Sequence, residues 1–131
     1  MIFIDYREPK EIAFYFEKKN ISYSIKHLIF GDYVVKDIFI ERKTWTDFFQ
    51  SYATGRLFKQ MLQLHQQENA VLLLEGFCFD SIIRTEGFYT ILTKILFQYH
   101  IKLIFTLNIE HTAGFLSALE RPLKNDCIQP T

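Results

Sequence analysis

The chain carries one run in which acidic and basic side chains stand directly on apolar strand sequence: GDYVVKDIFIERKTWTD, from Gly31 to Asp47. In Ile38-Phe39-Ile40-Glu41-Arg42-Lys43, the alternation of a strand puts Phe39, Glu41 and Lys43 on one face. Glu41 and Lys43 are then same-face neighbours roughly 7 Å apart. Asp32 precedes the short apolar stretch Tyr33-Val34-Val35. If the two stretches pair across a tight Lys36-Asp37 turn, Asp32 returns beside Glu41 at one end of a hairpin. Two carboxylates about 4 Å apart repel by about 4 kcal/mol at an effective dielectric of about 20. A Mg²⁺ or Mn²⁺ ion would relieve that repulsion, and oxygen donors suit such hard cations. It would also lower the pKa of a bound water and stabilise charge on a phosphodiester during in-line attack. Lys43 would hold the attacking water or offset charge on the pentacoordinate phosphate. Arg42 faces the other way in a regular strand, so its carbonyl is the more direct candidate ligand. Taken alone, the pattern more often marks a solvated sheet edge whose charges oppose aggregation.

The elements that must position these residues follow from periodicity and punctuation. Residues 1–4, 22–29, 33–35, 38–43, 70–74 and 101–107 read as strands, and 70–74 is apolar throughout, as in a sheet covered on both faces. Helices are expected over 8–19 with Pro9 at a tolerated early position, after a Thr44 cap, over 56–66 beyond Gly55, over 86–99 and over 109–119, ended by Pro122. Alternating strands and helices predict an α/β mixed sheet flanked by helices on both faces. Strands two, three and four are expected to form its antiparallel portion. The site would lie where the strand ends at Asp5, Asp32 and Glu41 converge.

Composition fits one compact domain over 1–121, followed by an irregular tail over 122–131. The 131 residues are 49% hydrophobic and 17% aromatic, which excludes a disordered chain. No apolar run reaches the ~18 residues of a membrane span, and no signal peptide is visible. Cys78 and Cys127 have no framework spacing, so a reducing, intracellular compartment is expected: nuclear in a eukaryote, cytoplasmic in an archaeon or for a virus. The four histidines lack zinc-ligand spacing. Net charge is zero, with ten Lys/Arg against eight Asp/Glu in 1–60 and five against seven in 61–131. Affinity for duplex DNA through this domain alone should therefore be weak.

Gly31-Asp32, Glu41-Arg42-Lys43 and Asp47 together resemble the GD…ERKxxxD signature of the XPF/Hef structure-specific endonucleases. Asp5-Tyr6-Arg7-Glu8 is similar to that family's D-x-R-E, Gly55-Arg56-Leu57-Phe58 with Gln60 to its G-R-L-F-x-Q, and Ala70–Gly76 to its buried strand ending in Glu-Gly. The matches run in order and cover 1–121. The resemblance implies a restriction-endonuclease-like fold and metal-dependent cleavage of branched DNA (a 3′-flap, fork or junction). It implies Asp5, Asp32, Glu41, Arg42, Lys43 and Asp47 as active-site residues, with Asp32, Glu41 and Asp5 holding Mg²⁺ or Mn²⁺. Arg7, Arg56, Lys59 and Gln60 would meet DNA; Gln60 either orients a water or is simply surface polar. Glu8 and Asp47 are also placed where a helix-start acid is favourable on dipole grounds alone.

Relatives commonly dimerise through late helices, and the apolar stripes at 88–99 and 109–119 suit either a homodimer interface, with Phe88, Leu92 and Leu116 in contact, or a deep core. Relatives also continue into tandem helix-hairpin-helix modules, which this sequence does not contain. A partner bearing such a module is one expectation that follows. Two other readings use the same fold: a non-catalytic subunit of a nuclease heterodimer, or a nuclease for another DNA substrate. An inactive subunit would be expected to lose acids or Lys43, and here all six signature residues are present.

Overall fold

The computed structural model describes residues 1–78 and 86–122, and the tail expected over 122–131 lies outside them from residue 123 on. Strand β1 (Ile2–Asp5) leads through α1 (Ile12–Lys18) to β2 (Tyr23–Lys26). The hairpin β3 (Tyr33–Val35) and β4 (Ile38–Thr44) follows, then α2 (Trp45–Ala53) and α3 (Leu57–His65). Next come β5 (Asn69–Glu75), α4 (Glu86–Thr93), β6 (Lys102–Thr106) and α5 (Ile109–Glu120). A π-helical stretch, Lys94–Gln98, continues α4.

Among the described residues the strands form one mixed sheet of order β2-β1-β3-β4-β5-β6. The expected antiparallel portion is corrected in one respect. β2 pairs parallel with β1, and it is β1 that runs antiparallel to β3. The reason is the connection: α1 with its flanking loops is long enough for a crossover, which a parallel neighbour requires. The chain then passes back over β1 to its free side. The β3–β4 hairpin forms as expected, with Val35 opposite Ile38 across the Lys36-Asp37 turn and Lys36 at φ +56°.

β5 explains why the middle of the sequence is continuously apolar. Val71 and Leu73 enter a core with Ile2, Ile4, Ile40, α1 and α5, whereas Ala70, Leu72 and Leu74 enter a second core under α2, α3 and α4. Each face of the sheet therefore buries alternate residues of the same strand. Phe88 and Leu116, expected at a dimer contact, belong to these two cores and are 5% and 0% exposed. They complete the monomer; the exposed apolar side chains nearby are Tyr89 and Phe97 instead. Trp45 is a packing anchor: its indole N–H donates to the Gly76 carbonyl at 3.0 Å, and its ring stacks on Phe105.

Candidate active site

Three strands bring the acids level. Ile4 pairs with Tyr33, and Tyr33 pairs with Ile40, so the next positions, Asp5, Asp32 and Glu41, form a row across β1, β3 and β4. Backbone bonds fix the row, since Asp5 N–H donates to the Asp32 carbonyl (2.9 Å) and Asp32 N–H to that of Ile40 (2.8 Å). Neighbouring strands are roughly 4.8 Å apart, so adjacent carboxylates stand within reach of a shared ligand. Ile4, Tyr33 and Ile40 point into the core beneath α1 and α5. Alternation sends the acids to the opposite face, where Lys43 also lies. Gly31 makes the approach possible. Its φ is +76°, and a Cβ there would stand 3.3 Å from the Ile40 carbonyl oxygen.

Each member of the row has its own electrostatic setting. Burial pushes the Asp32 carboxyl up and nearby Asp5 adds to it, against the Arg42 amide that donates to Asp32 Oδ2 at 2.8 Å. Burial also lifts Glu41, to about 7, with the Asp32 charge adding and Lys43 opposing. Asp5 differs. Burial would raise it, yet Arg7 Nε (2.9 Å), Leu28 N–H (2.9 Å) and Arg7 N–H (3.2 Å) all donate to its oxygens and hold it below the ordinary range. The expected third ligand is thus already engaged by protein donors, clasping the ends of the β1–α1 and β2–β3 loops. Sequence could not supply this, because Leu28 is 23 residues away and acts through its backbone.

Lys43 is 7% exposed and donates to the Ser51 hydroxyl on α2 at 3.1 Å. Arg42 crosses to the other face, as alternation requires, and meets Glu75 and Glu8 there. Asp47 stands in the first turn of α2 with its N–H donating to the Thr44 hydroxyl (3.1 Å), a helix cap, and its side chain is exposed. Arg7, Arg56 and Lys59 are exposed cations; Arg56 Nε reaches the Thr54 hydroxyl at 3.1 Å. Among the described residues, the buried side-chain oxygen of Gln60 meets no hydrogen-bond partner.

Glu8, Glu75, Ser51 and Thr112 gather around this region without having been assigned to it from the sequence. Glu75 was visible as the acid closing the apolar strand β5, and Glu8 as an acid near a helix start. Burial, Asp32 and a modest Glu75 contribution lift Glu8 to about 7 against Arg42. Its buried Oε1 lies 3.6 Å from Arg42 Nη1, and the buried Tyr33 hydroxyl is its neighbour.

The donor set suits a hard divalent ion. Asp32 and Glu41 present oxygen donors, with the Asp32 charge resisting ionisation of Glu41, and Mg²⁺ is typically held by one or two carboxylates with water and phosphate oxygens. Among the described residues no group of three or more His, Cys, Asp or Glu is arranged to hold a metal. Any ion here would rest on these two side chains together with other oxygens.

Known proteins give the arrangement its context. The model of the ERCC4 domain matches residues 4–119. A protein of Methanocaldococcus jannaschii, provisionally named an ATP-dependent RNA helicase, is 35% identical over 116 residues, which cover 88% of this chain and 14% of that protein. XPF from Aeropyrum pernix superposes with a TM-score of 0.82 at 30% identity, over 92% of this chain and 63% of that one. The same protein in complex with DNA gives a TM-score of 0.79 at 30% identity, covering 92% and 62%. The chain therefore spans about a seventh of the first relative and under two thirds of the second.

Proposed function

Because this chain belongs to the ERCC4 domain family, a family of structure-specific DNA nucleases built on a restriction-endonuclease-like fold, we propose that it hydrolyses phosphodiester bonds in branched DNA with a divalent metal. The observation that carries this reading is the placement of Asp32 and Glu41 side by side on paired strands, with Lys43 on the same face. Family members are generally divalent-metal dependent. Mg²⁺ or Mn²⁺ held by Asp32 and Glu41, with the Arg42 carbonyl as a further oxygen, would supply an activated water and charge stabilisation at the phosphate.

The side chains divide the remaining work. Lys43, steadied by Ser51, directs an ammonium toward the phosphoryl oxygens as negative charge builds there. It is a donor and not a ligand, so it leaves both carboxylates to the metal. Asp5 keeps the neighbouring loops closed around the row and places Arg7 at the rim, where its exposed guanidinium can meet phosphate. Arg56 and Lys59 offer further phosphate contacts from α3, and Gln60 directs an unsatisfied acceptor that suits a water. Asp47, in the first turn of the α2 helix that Thr44 caps, offers an exposed carboxylate at the edge of the same region.

The substrate we assign is a 3′-flap, fork or junction, where unpaired nucleotides let the scissile phosphate reach the row. The DNA-bound relative supports a DNA partner. Cleavage of 3′-flap, fork, four-way and linear duplex DNA, each with Mg²⁺ and with EDTA, tests the proposal. Metal-dependent cutting of the branched forms ahead of linear duplex is expected. Cutting undiminished by chelation, or none on any substrate, would overturn it.

A further inference from the structure

A second charged cluster lies on the opposite face of the sheet, directly behind the row of acids. Arg42 stands between Glu41 and Lys43 in sequence, so its side chain passes through to that face. There its Nε and Nη2 donate to the two oxygens of Glu75 at 3.1 and 2.8 Å, and Nη1 lies 3.6 Å from Glu8. Thr112 on α5 donates to Glu75 Oε2 at 2.5 Å, and the Thr106 hydroxyl lies 2.7 Å from that of Thr112. Register places the acid at the right height, since Thr44, two positions on from Arg42, pairs with Glu75. In the plane of the sheet the backbone N–H of Arg42 donates to Asp32 Oδ2 at 2.8 Å.

A largely buried ion pair contributes little net stability, because desolvation offsets the attraction. What a two-toothed guanidinium–carboxylate pair does provide is direction. We propose that Glu75 is a positioning residue: held by Thr112, it fixes Arg42 from behind the sheet, so that the Arg42 amide stays on Asp32 while Glu41 and Lys43 project forward. Arg42 thereby serves the site through its backbone, and its cation is matched by acids on its own face. It does not compete with a metal for Asp32 and Glu41.

The effect on cleavage rests on the nuclease reading above, whereas the effect on the Arg42 amide does not. In Glu75→Gln, hydrogen exchange at the Arg42 amide should quicken about tenfold or more in metal-free protein, with the amides of α1 unchanged. On forked DNA with Mg²⁺, kcat should fall between about 10- and 100-fold, in line with a displacement of about 1 Å, and KM should stay within about twofold. Thr112→Val should move both quantities the same way by less, and it carries the amide comparison if Glu75→Gln does not fold. Arg42 exchange within twofold of the parent protein would overturn the inference. So would equal acceleration of amides throughout the sheet and α1, which would mark a purely structural role. If the parent protein cuts no fork, the nuclease reading fails and the amide comparison still decides this one.

Discussion

Asp32 and Glu41 share a burden that the fold alone does not relieve, and this sets the expectations at the scale of single residues. Asp32→Ala or Glu41→Ala should reduce cleavage at least about 100-fold with the domain still folded. Lys43→Ala should lose a similar factor while Mn²⁺ binding, followed by calorimetry, stays near the parent value. Loss of Mn²⁺ affinity in Lys43→Ala would contradict its assignment as a non-ligand. Titration gives a second check. Glu41 and Glu8 are both lifted to about 7 from 4.5. The folded state thus binds more protons than the unfolded between those values, and their contribution to stability falls as pH rises through that window. Asp5 and Glu75 are held low, so their contribution is lost in the opposite direction, on acidification below the ordinary carboxylate range. Thermal melting of metal-free protein should therefore show stability declining from about pH 5 to 7, and Mg²⁺ or Glu41→Gln should flatten that decline. A melting temperature that climbs steadily over the same range would refute the assignment.

At the scale of elements, the sequence revealed what is local and missed what is lateral. The hairpin, the Thr44 cap, the crossover helix and the doubly buried β5 all leave a period or a punctuation mark. Their observed bounds lie close to the expected ones, except that α1 begins at Ile12 rather than at Glu8-Pro9 and β2 ends at Lys26 rather than reaching 29. The lateral order β2-β1-β3 leaves no such mark, because either side of β1 presents the same alternation. Asp5 was legible as an acid closing a strand, but its partners depend on which loop folds back over it. Phe88 and Leu116 fell on apolar stripes that look the same whether they face a core or a second molecule. The clasp at Asp5 gives a direct test. Asp5→Ala strips the Leu28 and Arg7 amides of their acceptor and should cost about 2 kcal/mol of stability. Mn²⁺ affinity should change by no more than about threefold. Loss of Mn²⁺ binding with unchanged melting would instead make Asp5 a ligand.

The whole molecule is electrically balanced, which shapes how it meets DNA. With about three phosphate contacts, through Arg7, Arg56 and Lys59, log K should fall against log salt with a slope of roughly −3. Adding a helix-hairpin-helix module, or a partner bearing one, should tighten binding far more than it alters the bond cut. Nanomolar binding of a 3′-flap by this chain at physiological salt would contradict that. Association is expected through the surface of α4 and its π-helical continuation, where Tyr89 and Phe97 are 58% and 73% exposed. Sedimentation at micromolar concentration should report twice the 15.7 kDa chain mass. Tyr89→Glu with Phe97→Glu should return the monomer, and a parent protein that is already monomeric would rule the interface out.

The two-residue turn at Lys36-Asp37 bears on the order in which the site comes into being. Hairpins close in about 1–10 μs, whereas contacts distant in sequence wait for longer loops to be closed. Asp32 and Glu41 should consequently face each other early, while Asp5, Glu75 and α5 are still unplaced. Their repulsion is then felt during folding and not only afterwards, at a stage when neither Arg42's rear partner nor the Asp5 clasp has arrived. Conservative truncations at Val34 and Phe39 should slow folding, whereas truncations at Leu73 and Ala113 should mainly hasten unfolding. Neutralising Glu41 should make the domain fold faster, and Mg²⁺ present from the outset should do the same for the unaltered chain. Stopped-flow refolding that is indifferent to both would place the meeting of the two carboxylates late, after the sheet has assembled.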